Sequence, residues 1–80
     1  MHFIYVLKSE KDSKLYVGCT ANIENRLKYH NDGKVFSTKH RRPLTLIFNE
    51  AYQDKYEAYS REVYYKTAKG KKELKKKIYS

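Results

Sequence analysis

Five polar side chains, spread along the chain, have the residue types that hydrolysis of a phosphodiester requires. They are two phenols, a guanidinium, an imidazole and a carboxylate, supplied by Tyr5, Tyr16, Arg26, His30 and Glu62. A guanidinium binds a phosphate oxygen through paired hydrogen bonds, and a carboxylate holds a hard divalent cation. Phenols and imidazoles can exchange protons with an attacking water. The set predicts metal-assisted hydrolysis, provided that the fold brings its members together.

Two short runs rich in β-branched and aromatic residues carry the tyrosines. Residues 3–7 and 15–19 are separated by a polar turn, which is typical of an antiparallel hairpin. Because both runs are apolar, we expect the hairpin to lie in the middle of a sheet, buried on both faces. Tyr5 and Tyr16 would then lie in or beside the core, where each hydroxyl needs a polar partner.

A helix is predicted from Thr20 or Asn22 to about Asn31, where Asp32 and Gly33 would end it. On this helix Ile23 and Leu27 define the buried stripe. Arg26 and His30 are four positions apart and share one edge of that stripe. We therefore expect both side chains to face the sheet.

The second half of the chain predicts a third strand and two more helices. A basic loop over residues 33–43 leads into the apolar run 44–48, and the sequence from Asp54 to Glu57 has the pattern of a capping box. The helix that follows would bury Tyr56, Ala58, Tyr59 and Val63 and end at Gly70. A short basic helix over residues 71–78 would complete a single domain spanning residues 1–80. The fold class is α/β, of the α+β kind: a three-stranded antiparallel sheet flanked by helices.

Glu62 falls inside the predicted buried arc of the second helix rather than on its outer face. A carboxylate in that position must be paired, protonated or bound to a cation. An ion pair with Lys66, one helical turn later, is the alternative to a metal site.

The chain is strongly basic, with a net charge of +9 from 18 Lys and Arg against 9 Asp and Glu. A surface of this charge attracts polyanions, although runs of lysine are also common as solvated helix faces. The basic residues that we expect to contact nucleic acid are Lys34, Lys39, His40, Arg41, Arg42, Lys66 and Lys69.

Cys19 is the single cysteine, so the chain forms no internal disulfide. The first apolar run ends at Lys8, far short of a signal peptide or a membrane span. We expect a cytoplasmic protein that has no contact with a membrane and no small-molecule cofactor.

The order and spacing of these residues resemble the GIY-YIG nuclease family. The resemblance rests on Phe3-Ile4-Tyr5, on Tyr16-Val17-Gly18 ten residues later, and on Arg26, His30 and Glu62 at the following intervals. The segments 26–34, 41–44 and 60–62 are most similar to small stand-alone members related to the N-terminal nuclease domain of the excision-repair endonuclease. Phe3 stands where the family name has glycine, and Cys19 stands where some members have lysine.

The resemblance implies an endonuclease that hydrolyses DNA with one divalent cation, Mg²⁺ or Mn²⁺, in DNA repair or recombination. Glu62 would hold the metal, and Arg26 would bind a phosphate oxygen and stabilise the charge of the transition state. Tyr5 is our choice of general base, with Tyr16 orienting the water. His30 would either share the proton or contact the phosphate, and the sequence leaves this open.

Two other functions are compatible with the same residues. A nucleic-acid-binding module without turnover would use the same lysines and Arg26, and a basic surface could instead dock on an acidic protein. No base-reading motif is visible, so contacts should be mainly to the DNA backbone. Cutting both strands with one metal centre would require a homodimer, a larger repair complex or two encounters.

Overall fold

The computed structural model describes residues 1–79, which form three strands and three helices. In chain order the elements are β1 (His2–Ser9), β2 (Leu15–Thr20), α1 (Ile23–Asn31), β3 (Leu44–Tyr52), α2 (Lys55–Tyr65) and α3 (Ala68–Tyr79). The strands form one antiparallel sheet in the order β2-β1-β3. This confirms the predicted three-stranded antiparallel sheet flanked by helices.

The central strand β1 separates two small cores because its side chains alternate between the faces of the sheet. Ile4 and Val6 pack with Tyr65 of α2 and Leu74 of α3 on one face. Tyr5 and Leu7 lie on the other face, with Leu44 and with side chains of α1 around them. The sheet is therefore the middle layer between α1 and the α2–α3 pair.

Only β1 has the central position that we predicted for the whole hairpin. β2 lies at one edge of the sheet and β3 at the other, and both have mostly half-buried or exposed residues. The prediction was wrong for β2 because a run of apolar residues does not distinguish a central strand from an edge strand covered on one face by helices. β3 also continues four residues beyond its predicted end at Phe48.

Helix α1 begins and ends where its capping residues predicted. The Asn22 side chain accepts a hydrogen bond from the backbone N–H of Asn25 at 3.0 Å. At the other end Asp32 is the C-cap, and Gly33 follows with a φ of 79°, a conformation that glycine adopts without steric cost.

Helix α2 begins at the predicted cap but buries a different face from the one expected. Asp54 accepts a hydrogen bond from the N–H of Tyr56, whereas Tyr56, Tyr59 and Val63 are 69%, 62% and 49% exposed. The inward side consists of Ala58, Arg61, Glu62 and Tyr65, which have the helical spacing i, i+3, i+4 and i+7. The prediction was wrong because it assigned tyrosines to the interior, although a tyrosine ring is also stable at the surface.

Gly70 does not end α2, contrary to the prediction. α2 stops at Tyr65, and Gly70 lies in the first turn of α3, where its N–H donates to Thr67 Oγ1 at 3.0 Å. A side chain at position 70 would collide with the backbone carbonyl of Tyr64. Glycine is therefore needed for the close approach of α3 to the end of α2.

A polar network joins α2, α3 and β3. The buried Tyr65 hydroxyl donates to Glu50 Oε1 at 2.9 Å and accepts hydrogen bonds from Lys77 and Arg61. Lys77 also lies 2.9 Å from Glu50 Oε2, and Arg61 lies 2.8 Å from Glu73 Oε2. Burial alone would raise the pKa of Glu50, but hydrogen bonds from Lys77, Tyr65 and Tyr52 lower it below its usual range. Lys77 is thus part of the tertiary structure rather than of a solvated lysine tail.

Candidate active site

Four of the five predicted site residues lie in one cluster on the α1 face of the sheet. Arg26 Nε donates to the Tyr5 hydroxyl at 3.3 Å, and the same hydroxyl lies 3.0 Å from His30 Nε2. The ring of Tyr16 lies 4.9 Å from the His30 ring and 6.3 Å from the Tyr5 ring, measured between centroids. The strands β1 and β2 supply the tyrosines and α1 supplies the other two residues.

The Tyr5 ring fits against β2 because its cross-strand neighbour is a glycine. Tyr5 and Gly18 are paired across β1 and β2, so a side chain at position 18 would lie on the same face as the ring. A Cβ atom placed there would overlap the Tyr5 hydroxyl and its ring carbon. Gly18 thereby determines where the phenol of Tyr5 can lie.

The hydrogen-bond directions in this cluster follow from the donors that are present. Arg26 can only donate, so the Tyr5 oxygen accepts from it and the Tyr5 proton goes to His30 Nε2. His30 then carries its own proton on Nδ1, which lies 2.7 Å from Thr38 Oγ1. His30 and Thr38 are both fully buried. The buried histidine is therefore held in a single tautomer by its two neighbours.

Burial displaces the titration of both central groups. It raises the pKa of Tyr5 to about 12, against the lowering effect of the Arg26 hydrogen bond, and the charge of Glu62 adds to the increase. Burial, with the nearby Arg26 charge, lowers the pKa of His30 to about 4. At neutral pH the phenol is therefore protonated and the imidazole is uncharged. The pKa of Arg26 is raised, chiefly by its hydrogen bond with Tyr5, so the guanidinium stays charged.

Glu62 approaches from α2 and does not join the hydrogen-bonded cluster. Its side chain is 18% exposed, and its Oε2 lies 2.9 Å from Lys66 Nζ, the ion pair that the sequence offered as the alternative to a metal site. The Glu62 charge contributes to the raised pKa values of Tyr5 and of Cys19, a β2 residue, so the carboxylate lies within electrostatic range of both. Lys66 is about half exposed and is displaced at little cost.

The residues present fit a hydrated magnesium or manganese ion rather than a closed metal cage. In the described chain no three His, Cys, Asp or Glu residues are grouped so that they could hold a metal together. Mg²⁺ commonly binds through one or two carboxylates and completes its octahedron with water and substrate phosphate. Glu62, half-buried and within electrostatic range of the Tyr5 phenol, has the chemistry of such a single ligand.

The basic residues predicted to contact nucleic acid do not form one surface. Arg41 pairs with Asp12 at 3.3 Å, and Arg42 Nε donates to the backbone oxygen of Lys39, so both arginines fix the loop between α1 and β3. Lys34 and Lys39 lie over the rings of Tyr29 and Phe36, at 5.1 and 5.4 Å from the centroids. His40 is half-buried, Lys69 is exposed, and Lys66 pairs with Glu62.

A basic groove that the sequence analysis missed runs between β2 and the C-terminal helix. It has a volume of about 640 Å³ and reaches both Tyr16 and Lys66. Its other walls include Lys14, Leu15, Val17, Tyr65, Lys71, Leu74, Lys75 and Tyr79. The spacing of Lys71, Leu74 and Lys75 on α3 was the available signal, since these residues share one helix face.

Comparison with protein families identifies the family that has this arrangement. The family model described as the GIY-YIG catalytic domain matches residues 1–77. The chain belongs to the GIY-YIG family. The predicted resemblance is therefore confirmed over nearly the whole chain, and the family is one of nucleases that generally use a divalent metal.

The relatives of this GIY-YIG chain are similarly small. It is 48% identical to the UPF0213 protein YazA of Bacillus subtilis over 75 residues, covering 91% of this chain and 75% of that protein. It is 43% identical to the UPF0213 protein SH2523 of Staphylococcus haemolyticus, covering 92% and 90%. The solution NMR structure of the UPF0213 protein BH0048 from Bacillus halodurans has a TM-score of 0.56 at 32% identity, covering 91% of this chain and 80% of that one.

Within residues 1–79 of this GIY-YIG domain, no helix combines the length and the apolar character that a bilayer crossing requires. The assignment of individual roles to Tyr5, Tyr16, Arg26, His30 and Glu62 stays a prediction. The geometry does favour one of the alternatives for His30, because a fully buried ring in contact with Tyr5 is better placed to share a proton than to touch a phosphate.

Proposed function

We propose that the protein is a divalent-metal-dependent endonuclease that hydrolyses DNA phosphodiester bonds. The observation that carries the proposal is the contact of Arg26 and neutral His30 with one phenol, Tyr5, beside a half-buried carboxylate. This arrangement provides a phosphate-binding cation, a proton path and a metal ligand within one GIY-YIG domain.

In the proposed mechanism Tyr5 and His30 act together as the base. Because the phenol has a raised pKa, it is a poor base unless its own proton can leave. His30 Nε2 accepts that proton as the Tyr5 oxygen takes one from the attacking water, so no free phenolate has to accumulate. Tyr16 orients the water from the rim of the cluster.

Arg26 and Glu62 act on the phosphate in this proposal. Arg26 binds a non-bridging oxygen with its terminal nitrogens while its Nε remains on Tyr5, which couples phosphate binding to the position of the base. Glu62 would hold Mg²⁺ or Mn²⁺, which supplies charge stabilisation at the leaving 3′ oxygen. The groove beside Tyr16 and Lys66 extends the binding surface for the DNA backbone.

The proposal includes the setting of the reaction. We place it in the cytoplasm, on DNA, with a role in repair or recombination, and with a homodimer or larger repair complex as the form that would cut a second strand. These inferences rest on the family and on the basic charge of the chain.

The deciding experiment is a nicking assay on single-stranded, duplex and branched DNA with Mg²⁺, Mn²⁺ or EDTA. The parent should cleave only with a divalent cation, and Glu62→Gln should lower the rate about 100-fold or more, because a metal supplies several kcal/mol to the transition state. Glu57→Gln, a change of an exposed carboxylate on the same helix, is the matched control and should leave the rate within about twofold.

A second candidate function is a nucleic-acid-binding module without turnover. The Glu62–Lys66 ion pair favours it, since this pairing satisfies the carboxylate without a metal. Under this alternative the parent binds DNA but does not cleave it with either cation, and Glu62→Gln has no effect on binding.

A further inference from the structure

The most exposed large apolar side chain in the described chain lies on the loop that holds the candidate catalytic histidine. Phe36 is 85% exposed and belongs to neither core cluster. Isolated exposed hydrophobic residues are common and usually have no function. Phe36 differs from them in its surroundings, because basic side chains lie around it and its loop is fastened to the site.

The loop that presents Phe36 is held by specific contacts. Two residues after Phe36, the fully buried Thr38 lies with Oγ1 2.7 Å from His30 Nδ1. The backbone N–H groups of Thr38 and Lys39 both donate to the Val35 oxygen, at 3.1 and 3.0 Å, which closes a tight turn under the ring. An aromatic ring on such a turn is presented at little additional cost in conformational entropy.

Positive charge lies directly beside this ring. Lys39 Nζ is 5.4 Å from the Phe36 centroid, and at the start of the loop Lys34 Nζ is 5.1 Å from the centroid of Tyr29, whose side chain is half exposed. Pairs of this kind combine a phosphate-binding cation with a flat apolar surface. Proteins that bind single-stranded nucleic acid use this combination, stacking bases on aromatic rings while cations contact the backbone.

We propose that Phe36 stacks on an unpaired base of the substrate next to the phosphate bound at Arg26. The inference rests on the proposed function and narrows it to DNA with at least one unpaired base, either single-stranded or locally distorted. Lys39 contacts the phosphate of the stacked nucleotide. Fully paired duplex DNA gains nothing from Phe36, since its bases are already stacked on each other.

The test measures binding without cleavage, by fluorescence anisotropy in EDTA, for single-stranded and duplex oligonucleotides. Phe36→Ala should weaken binding to the single strand about 5- to 100-fold and leave duplex binding within about twofold. Phe36→Trp should retain the affinity. Phe36→Leu should lose most of it, because leucine keeps apolar volume without a flat ring.

Two controls separate stacking from other causes. Tyr59→Ala removes an exposed aromatic side chain from the outer face of α2 and should bind like the parent. Lys39→Gln should reduce the slope of log affinity against log salt by about 0.7 on the single strand, whereas Phe36→Ala should leave the slope unchanged. A 2-aminopurine base in the oligonucleotide should be quenched by the parent and not by Phe36→Ala.

Equal affinities of the parent and Phe36→Ala for the single strand would overturn the proposal, as would full affinity of Phe36→Leu. If the parent cleaves DNA but these variants bind alike, the stacking role fails and the nuclease function stands. If Phe36 quenches the probe and controls affinity but the parent never cleaves, the nuclease function fails and the stacking role stands. A parent that binds no DNA at low salt refutes both.

Discussion

At the scale of single residues, the chemistry of the site depends on how far each group is buried. Tyr5 and His30 lie inside the protein, whereas Tyr16, Arg26 and Glu62 are half-buried at its surface. The substrate can therefore reach the second group directly and the first only through it. This division gives His30 a measurable effect on stability as well as a role in the proposed mechanism.

We expect the protein to lose stability on acidification before its carboxylates titrate. The pKa of His30 is lowered from 6.5 in the unfolded chain to about 4 in the folded one. Between these values the unfolded state binds a proton that the native state does not, so the free energy of unfolding falls as the pH falls, by a total of about 3 kcal/mol. Above pH 6.5 this contribution is complete.

Urea unfolding between pH 7 and pH 4.5 would measure this effect, and His30→Gln should flatten the profile in that range. A titration of the His30 ring by NMR in the parent gives an independent check that does not depend on a folded variant. A ring that titrates near its ordinary value would contradict the prediction.

At the scale of elements, the sequence predicted the parts that depend on local interactions. Asn22 and Asp54 marked the starts of two helices because a capping side chain acts within three residues. The predictions failed where the outcome depended on a third element. Gly70 was read as a helix stop, but the approach of α3 to the Tyr64 carbonyl, which is a tertiary contact, explains this glycine.

The site shows the same division between local and long-range information. Arg26 and His30 could be placed on one edge of α1 from their spacing, and the contact of both with Tyr5 follows from that edge. Thr38 could not be predicted as the partner of His30, because nothing in a loop sequence indicates which hydroxyl will be buried. The groove was missed because it lies between β2 and α3, which are distant in the sequence.

The network around Glu50 is expected to hold α3 against the sheet. Glu50→Ala would leave the Tyr65 hydroxyl and Lys77 without their acceptor, and we expect a loss of about 2–3 kcal/mol in the free energy of unfolding. Glu10→Ala is the control, since that carboxylate bonds only to the exposed Thr45 hydroxyl and should cost less than about 1 kcal/mol. Urea denaturation measures both, and a similar loss in the two variants would contradict the assignment.

At the scale of the whole molecule, the charge of +9 is divided between structural and available cations. Arg41, Arg61 and Lys77 are engaged in ion pairs with carboxylates. Lys14, Lys71 and Lys75 line the groove and take part in no ion pair among residues 1–79. The available charge is therefore concentrated along a surface that reaches the site.

Replacing the three groove lysines by glutamine should weaken DNA binding and make it less sensitive to salt. Each phosphate contact contributes about 0.9 to the slope of log affinity against log salt on duplex DNA, so the triple variant should lose about 2–3 from that slope. The matched control is Lys11→Gln, Lys55→Gln and Lys72→Gln, which makes the same change in net charge outside the groove. Anisotropy titrations at several salt concentrations measure both, and equal slopes would show that the groove is not on the DNA path.

The packing of Tyr5 against Gly18 also has an evolutionary consequence. The two residues face each other across neighbouring strands, and the phenol fills the volume that any larger residue at position 18 would occupy. Mutations at these positions cannot be accepted independently: a bulkier residue at 18 becomes tolerable only after the aromatic ring at 5 has been lost or turned aside. We therefore expect the two positions to be inherited as a pair, and a descendant that has replaced this glycine to have given up the phenol as well.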